Sequence, residues 1–221
     1  MSITRNIQDL RSSLPPKVTL VAVSKFHPVE AIREAYDAGQ RVFGESRAQE
    51  LCSKYGLLPN DIEWHFIGTL QTNKVKDIAP FISMIHSVDS LKLLAEINKQ
   101  AKKHERIIDV LLEVHVAKEE TKHGLTPEEC VELINDCSLK EMKNIRIRGV
   151  MGMATNTDDT VVIRSEFQKI HELFESLGSI MADSNDFNQI SMGMSHDYPI
   201  AIEEGSTIIR VGTSIFGERE Y

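Results

Sequence analysis

The sequence predicts an α/β fold, a single (β/α)8 TIM barrel with an extra N-terminal helix, and three observations carry that expectation. Apolar runs of strand length alternate with stretches of helical period along the whole chain. About eight such units fit into the 221 residues, slightly fewer than the roughly 250 usual for a barrel of this kind. No linker, low-complexity tract or shift of composition interrupts them, so residues 1–221 are expected to form one domain. A closed barrel is therefore favoured over its rival, an open doubly wound sheet.

A short polar amphipathic segment comes first. The first strand, Val18 to Val23, is nearly all apolar, as expected where both sheet faces are covered, and it runs directly into Ser24 and Lys25. Pro28 stands where a helix should begin, Val29, Ile32 and Ala35 supply its apolar stripe, and Gly39 its stop. Further strands are expected at Val42–Gly44, Trp64–Gly68, Met84–Val88, Val110–Val114, Ile147–Met151, Ile190–Met192 and Ile208–Val211. Ser90 reads as an N-cap, and Thr126-Pro127-Glu128-Glu129 as a capping box with proline at the first helical position. Gly178 is expected to end the long helix that contains Phe167, Ile170 and Phe174.

Composition narrows the class of function. A net charge of -8 with scattered basic residues argues against a nucleic-acid surface. No apolar stretch has the length of a signal peptide or a membrane span, and the reading is a cytoplasmic protein. Cys52, Cys130 and Cys137 form no C-x-x-C pair and leave an odd count, which suits a reducing compartment. Cys130 and Cys137 are expected to share the inner face of one helix as packing residues. No distinctive apolar surface stripe stands out, and a monomer is the expectation.

In a barrel of this kind the active face lies at the carboxyl ends of the strands. Lys25 closes the first strand in phase with Val21 and Val23; if that face is the interior, the lysine stands at the mouth, where desolvation favours the free amine needed for a Schiff base. On position alone a solvated strand-end lysine is the favoured reading. Ser191 to His196 and Gly205 to Ser214 are rich in glycine and small hydroxyls, which can cradle a phosphate without a basic side chain. Arg210 shares a strand face with Gly212, its alternative role being a buried structural ion pair. The histidines show no metal-ligand spacing; His65 and His86 read as hydrogen-bonded core residues, and Glu119-Glu120 and Glu203-Glu204 as solvated surface.

At this point the residues reach a family. Val21-Ala22-Val23-Ser24-Lys25, Phe43-Gly44-Glu45 with Gln49-Glu50, Trp64-His65-Phe66-Ile67-Gly68 with Leu70-Gln71 and Asn73-Lys74, Lys122-His123-Gly124-Leu125, Arg148-Gly149-Val150-Met151, Ser191 to Ser195, and Gly205-Ser206-Thr207 through Arg210, Gly212 and Phe216-Gly217 span nearly the full length in order. Together they closely resemble the pyridoxal-phosphate homeostasis proteins, also called the YggS or PROSC family, relatives of the N-terminal barrel of alanine racemase. The resemblance implies fold type III of the proteins that bind pyridoxal 5′-phosphate (PLP). It implies that Lys25 carries PLP as a Schiff base, that Ser195, Gly212 and Thr213 contact its phosphate, and that Arg210 faces the pyridine nitrogen and disfavours its protonation. Where many members have Asn-Tyr this chain has Ser46-Arg47, so Ser46 replaces an amide contact near the cofactor ring; Thr69 and Glu113-Val114-His115 also depart from the common pattern.

The function so implied is homeostasis of PLP inside the cell: holding a reactive aldehyde and passing it to PLP-dependent apo-enzymes, without catalysis, metal, nucleic acid or membrane. The racemases add a C-terminal domain with a second acid–base tyrosine, for which a chain ending at Tyr221 is expected to leave no room. The alternatives are an amino-acid racemase or related PLP enzyme, and a partner-binding regulator that senses the cofactor.

Overall fold

Strands with nearly continuous apolar sequence need cover on both faces, and here they obtain it by closing on themselves. In the computed structural model, which describes residues 2–116, 124–181 and 186–218, eight parallel strands pair in chain order and the last returns to the first. They are β1 (Thr19–Val23), β2 (Val42–Glu45), β3 (Glu63–Phe66), β4 (Met84–Val88), β5 (Ile108–Val114), β6 (Ile145–Gly152), β7 (Gln189–Ser191) and β8 (Ile208–Val211). The closed barrel excludes the open doubly wound sheet. The helices are α1 (Ile3–Ser13), α2 (Val29–Asp37), α3 (Ala48–Tyr55), α4 (Thr72–Ile78), α5 (Leu91–Lys103), α6 (Pro127–Asn135), α7 (Thr160–Ile180), α8 (Tyr198–Glu203) and α9 (Thr213–Phe216). Among the described residues none is long and apolar enough to cross a membrane.

Strand alternation sorts the side chains into two environments. Outward residues such as Leu20, Phe43, Trp64, Phe66 and Leu112 join the helices in the large outer core. Val21, Met84, Leu111, Met151 and Ile208 point the other way and form a separate apolar cluster inside the barrel. Two residues further along three of those strands, on the same face, stand His86, Glu113 and Arg210, all buried. The interior is thus apolar below and polar toward the mouth. The extra helix α1 buries Ile7 and Leu10, and its Asn6 donates to the Ile215 carbonyl of α9 at 2.9 Å, tying the two ends of the chain together.

The helix starts follow their sequence signals. Ser90 Oγ accepts from the Leu93 amide at 3.3 Å, and both arms of the Thr126 capping box are present. Three expectations fail for local reasons. Gly178 does not stop α7, which continues to Ile180; the buried Leu177 carbonyl accepts the Met181 amide at 3.0 Å, and Met181 itself has φ -94°. Cys130 and Cys137 share no helix. Asp136 breaks α6, its carboxylate accepts the Ser138 amide at 2.8 Å, and Cys137 begins a separate 3-10 turn with its thiol exposed, while Cys130 is buried. Gly205-Ser206-Thr207 precede β8, at the end opposite the mouth. Ser206 Oγ is spent on the carbonyls of Met192 (2.8 Å) and Ile208 (3.0 Å), and Thr207 Oγ1 accepts the Ile190 amide (2.8 Å), so these hydroxyls lock two strands instead of binding phosphate.

Candidate functional site

β1 ends at Val23, and the chain leaves it through a β-turn closed by the His27 amide on the Ser24 carbonyl at 3.1 Å. Lys25 and Phe26 are its central residues. Phe26 has φ 67°, the left-handed value that a type II turn demands at this position and that usually selects glycine. For a bulky side chain this costs on the order of 1–3 kcal/mol. The Phe26 amide donates to Glu50 Oε1 at 2.6 Å, and Arg47 stacks its guanidinium over the ring at 4.8 Å. Beneath the turn, Lys54 Nζ donates to the Ser24 carbonyl (2.9 Å), Glu45 Oε1 (2.8 Å) and Glu50 Oε1 (2.6 Å). Ser24 Oγ also donates to Glu45 Oε1, at 2.6 Å. Burial pushes the Glu45 carboxyl above its ordinary range, against the opposing pull of Lys54.

Across the mouth, the loop after β7 turns at Gly193, whose φ is 95° and where a Cβ would stand 2.6 Å from that of Ala201. The buried Asp197 holds this loop, accepting the Met194 amide at 2.5 Å through Oδ1 and lying 3.2 Å from His196 Nε2 through Oδ2. Ser195 is so placed that its Oγ accepts the Gly212 amide at 3.3 Å, joining the exits of β7 and β8. In α9 the Gly212 carbonyl takes the Ile215 and Phe216 amides, which turns the amides of Thr213 and Ser214 outward from the first turn.

Below these loops lies a chain of buried polar groups. Arg210 Nη1 donates to the Ser191 carbonyl (2.8 Å) and Oγ (2.6 Å), and Nη2 to the Gly152 carbonyl (3.1 Å). Ser191 Oγ is 3.0 Å from His86 Nδ1, and His86 Nε2 is 2.9 Å from His65 Nδ1. A guanidinium can only donate, so Ser191 accepts from Arg210 and gives its own proton to His86 Nδ1; His86 then donates from Nε2 to His65. Burial lowers the His65 pKa to about 4 and holds that of His86 well below normal, with His65 and Arg210 adding to the effect there. Burial lowers Arg210 to about 10, opposed by Asp197 and Glu113. Among the described residues no carboxylate lies within ion-pair distance of Arg210, so the structural ion pair weighed from sequence is replaced by carbonyl and hydroxyl acceptors.

Lys25, Ser195, Arg210, Gly212 and Thr213 line one cavity of ≈ 220 Å³, with Val23, Ile67, Met153 and Met194 as its apolar wall. Ser46 is outside that lining and faces a neighbouring groove with Arg47, Gln71 and Lys74. His115, at the end of β5, is likewise outside it. Lys122-His123, Glu119-Glu120 and Tyr221 lie outside the described residues. Sequence reasoning missed Asp197 and gave Glu50, quoted only within a matching segment, no role. Asp197 carried a usable signal, an aspartate just before a helix with proline in its first turn; Glu50 carried the four-residue spacing to Lys54.

A family model described as the alanine racemase N-terminal domain matches residues 1–220. A pyridoxal phosphate homeostasis protein of Aquifex aeolicus is 44% identical over 91% of this chain and 87% of its own length, and one of Vibrio alginolyticus 38% identical over 100% and 99%. The solved structure of PipY, the COG0325 family member of Synechococcus elongatus, with PLP bound, superposes with a TM-score of 0.89 at 38% identity, covering 97% of this chain and 100% of that one. Alanine racemase from Streptomyces lavendulae superposes at 0.79 with 17% identity, covering 98% of this chain and 56% of the racemase, a likeness of fold alone. With this barrel and these matches, the chain belongs to the alanine racemase N-terminal domain family and, within it, to the pyridoxal phosphate homeostasis proteins.

Proposed function

We propose that this chain is a cytosolic PLP-homeostasis protein, a single-domain barrel that holds PLP in its mouth as a Schiff base on Lys25 and releases it to apo-enzymes. The observation that carries the reading is the single cavity in which an amine, a hydroxyl, amide donors and a buried guanidinium converge. The donor set fits the cofactor. Ser195 Oγ and the Thr213 amide bind a phosphate as neutral donors, and Gly212 lets the exit of β8 lie close against β1, since a Cβ there would stand 3.2 Å from the Val23 carbonyl. Arg210, fixed by three hydrogen bonds, presents a permanent charge to the ring nitrogen and holds it unprotonated. Ile67, Met153 and Met194 form an apolar wall beside the half-buried lysine. When bound, PLP supplies an aldehyde that condenses with amines and a ring able to accept electrons.

Relatives matched over 87% and 99% of their own length are named homeostasis proteins, whereas the racemase is matched over 56% of its own. That supports a carrier over an enzyme. A racemase needs a second acid–base group opposite the lysine. The described lining offers one imidazole, His196, whose Nε2 already lies 3.2 Å from the Asp197 carboxylate. The expected result is no appreciable deuterium exchange at the α carbon of alanine added to the PLP-loaded protein, read by proton NMR; steady exchange that disappears in Lys25→Ala overturns the carrier reading. For the phosphate cradle, Ser195→Ala is expected to weaken PLP retention by about 0.5–1.5 kcal/mol, or up to about 3 kcal/mol because the acceptor is charged. Equilibrium dialysis checks this, and an unchanged affinity means that the phosphate sits elsewhere.

A further inference from the structure

Both neighbours of Lys25 are held by the same three side chains, and none of the three lines the cavity. Lys54 donates to the Ser24 carbonyl, Glu45 Oε1 accepts the Ser24 hydroxyl, and Glu50 Oε1 accepts the Phe26 amide. Their side chains are 7%, 0% and 20% exposed, so the Lys54–Glu45 part of the cluster is shielded from water, which would otherwise weaken it, and the Glu50–Phe26 bond lies at its exposed edge. What it holds is a backbone conformation that phenylalanine disfavours, immediately after the lysine. A packing role alone would be met by apolar residues at these positions between β2 and α3, at less desolvation cost.

We propose that Glu50 is a positioning residue for Lys25: held by Lys54, its carboxylate maintains the left-handed turn at Phe26 that points the lysine amine into the mouth cavity. The inference rests on the assignment of Lys25 as the PLP-bearing lysine. Without the Glu50 carboxylate the Phe26 amide loses this hydrogen bond and the turn relaxes toward negative φ. Because the turn places Lys25 and Phe26 side by side, that relaxation re-aims the amine while leaving Ser195, Gly212 and Thr213 in place.

The test uses Glu50→Ala, Phe26→Gly and the double variant. In the cofactor-free protein, hydrogen exchange of the residue-26 amide, read by NMR, is expected to speed up in Glu50→Ala. On mixing with PLP, the rate at which the visible absorption band grows is expected to fall about tenfold in that variant. Affinity for pyridoxine 5′-phosphate, which has the phosphate but no aldehyde, is expected to stay at the wild-type value. Phe26→Gly removes the torsional cost, since glycine adopts positive φ freely, so adding it to Glu50→Ala is expected to restore the rate of band growth. A wild-type rate in Glu50→Ala, a parallel loss of pyridoxine phosphate binding, or a double variant no faster than Glu50→Ala overturns the proposal. If the wild type itself forms no adduct on Lys25, the PLP assignment fails on its own control. In that case unchanged exchange at residue 26 in Glu50→Ala refutes the clamp as well, and faster exchange upholds it.

Discussion

Lys25→Ala is expected to leave a protein that stays colourless with PLP, whereas the wild type turns yellow and, after borohydride reduction, carries the cofactor on the peptide containing Lys25. The whole covalent component is at stake, so the effect runs from full labelling to none. The structure supplies an internal control. Lys54 sits directly beneath the same turn, close enough to bond the Ser24 carbonyl, yet an ammonium has three hydrogens and all three are engaged, by Ser24, Glu45 and Glu50. As an ammonium so bonded it has no lone pair with which to attack an aldehyde. Labelling is therefore expected at Lys25 and not at Lys54, and Lys25→Ala is not expected to redirect it. Label found on Lys54, or undiminished in Lys25→Ala, sinks the assignment. Weak residual binding in the variant, displaced by inorganic phosphate, is consistent with the cradle at Ser195 and Thr213 surviving by itself.

The second large effect is on stability in acid. His65 titrates at about 4 in the folded barrel against an ordinary 6.5, and His86 is shifted in the same direction. A depressed folded pKa means that the unfolded chain binds protons first: the contribution is complete above pH 6.5 and is lost as pH falls from there toward 4. Each pH unit of that window costs about 1.4 kcal/mol per histidine, so His65 alone removes about 3 kcal/mol across it. Glu45 acts in the opposite sense. Its raised folded pKa makes a contribution that is full below about 4.5 and lost as pH rises through the folded value, so it offsets part of the histidine slope. The clean measurement is therefore a difference, urea unfolding of the wild type at pH 7 and pH 5 beside a His65→Gln, His86→Gln double variant. The wild type is expected to lose more stability than the variant on acidification; equal losses mean that the two imidazoles are not held neutral by burial.

The strands were legible because a parallel barrel puts apolar residues on both faces, and the runs at Met84–Val88 and Ile208–Val211 are found with the expected bounds. The other strands differ by one or two residues at their ends, where a hydrogen-bonded ladder stops for reasons of register and not of composition. Glycine was a poorer guide. Gly178 looks like a stop, but an αR glycine ends nothing when the next turn keeps its acceptors, as Met181 does on Leu177. Gly205-Ser206-Thr207 has the composition of a phosphate loop; only its place before the strand, away from the mouth, excludes that use. Charges at outward-facing positions, such as Glu45 on β2, ran against the expectation that this face packs on helices, and a partner nine residues away on another element leaves no periodic mark. Arg210 could be placed by phase, but its acceptors Ser191 and Gly152 come from strands that only the closed topology brings beside it.

Val21, Met84, Leu111, Met151 and Ile208, each no more than 8% exposed, seal the interior beneath the polar layer. The barrel is consequently a blind vessel with one doorway. Whatever enters between Lys25 and Ser195 departs by the same route, so arrival and departure cannot be tuned independently from opposite faces. On the proposed function, a receiving protein would collect the cargo at the carboxyl ends of the strands, and substitutions on the far side, around exposed Leu57 and Ile107, would reach the traffic only through the stability of the whole barrel.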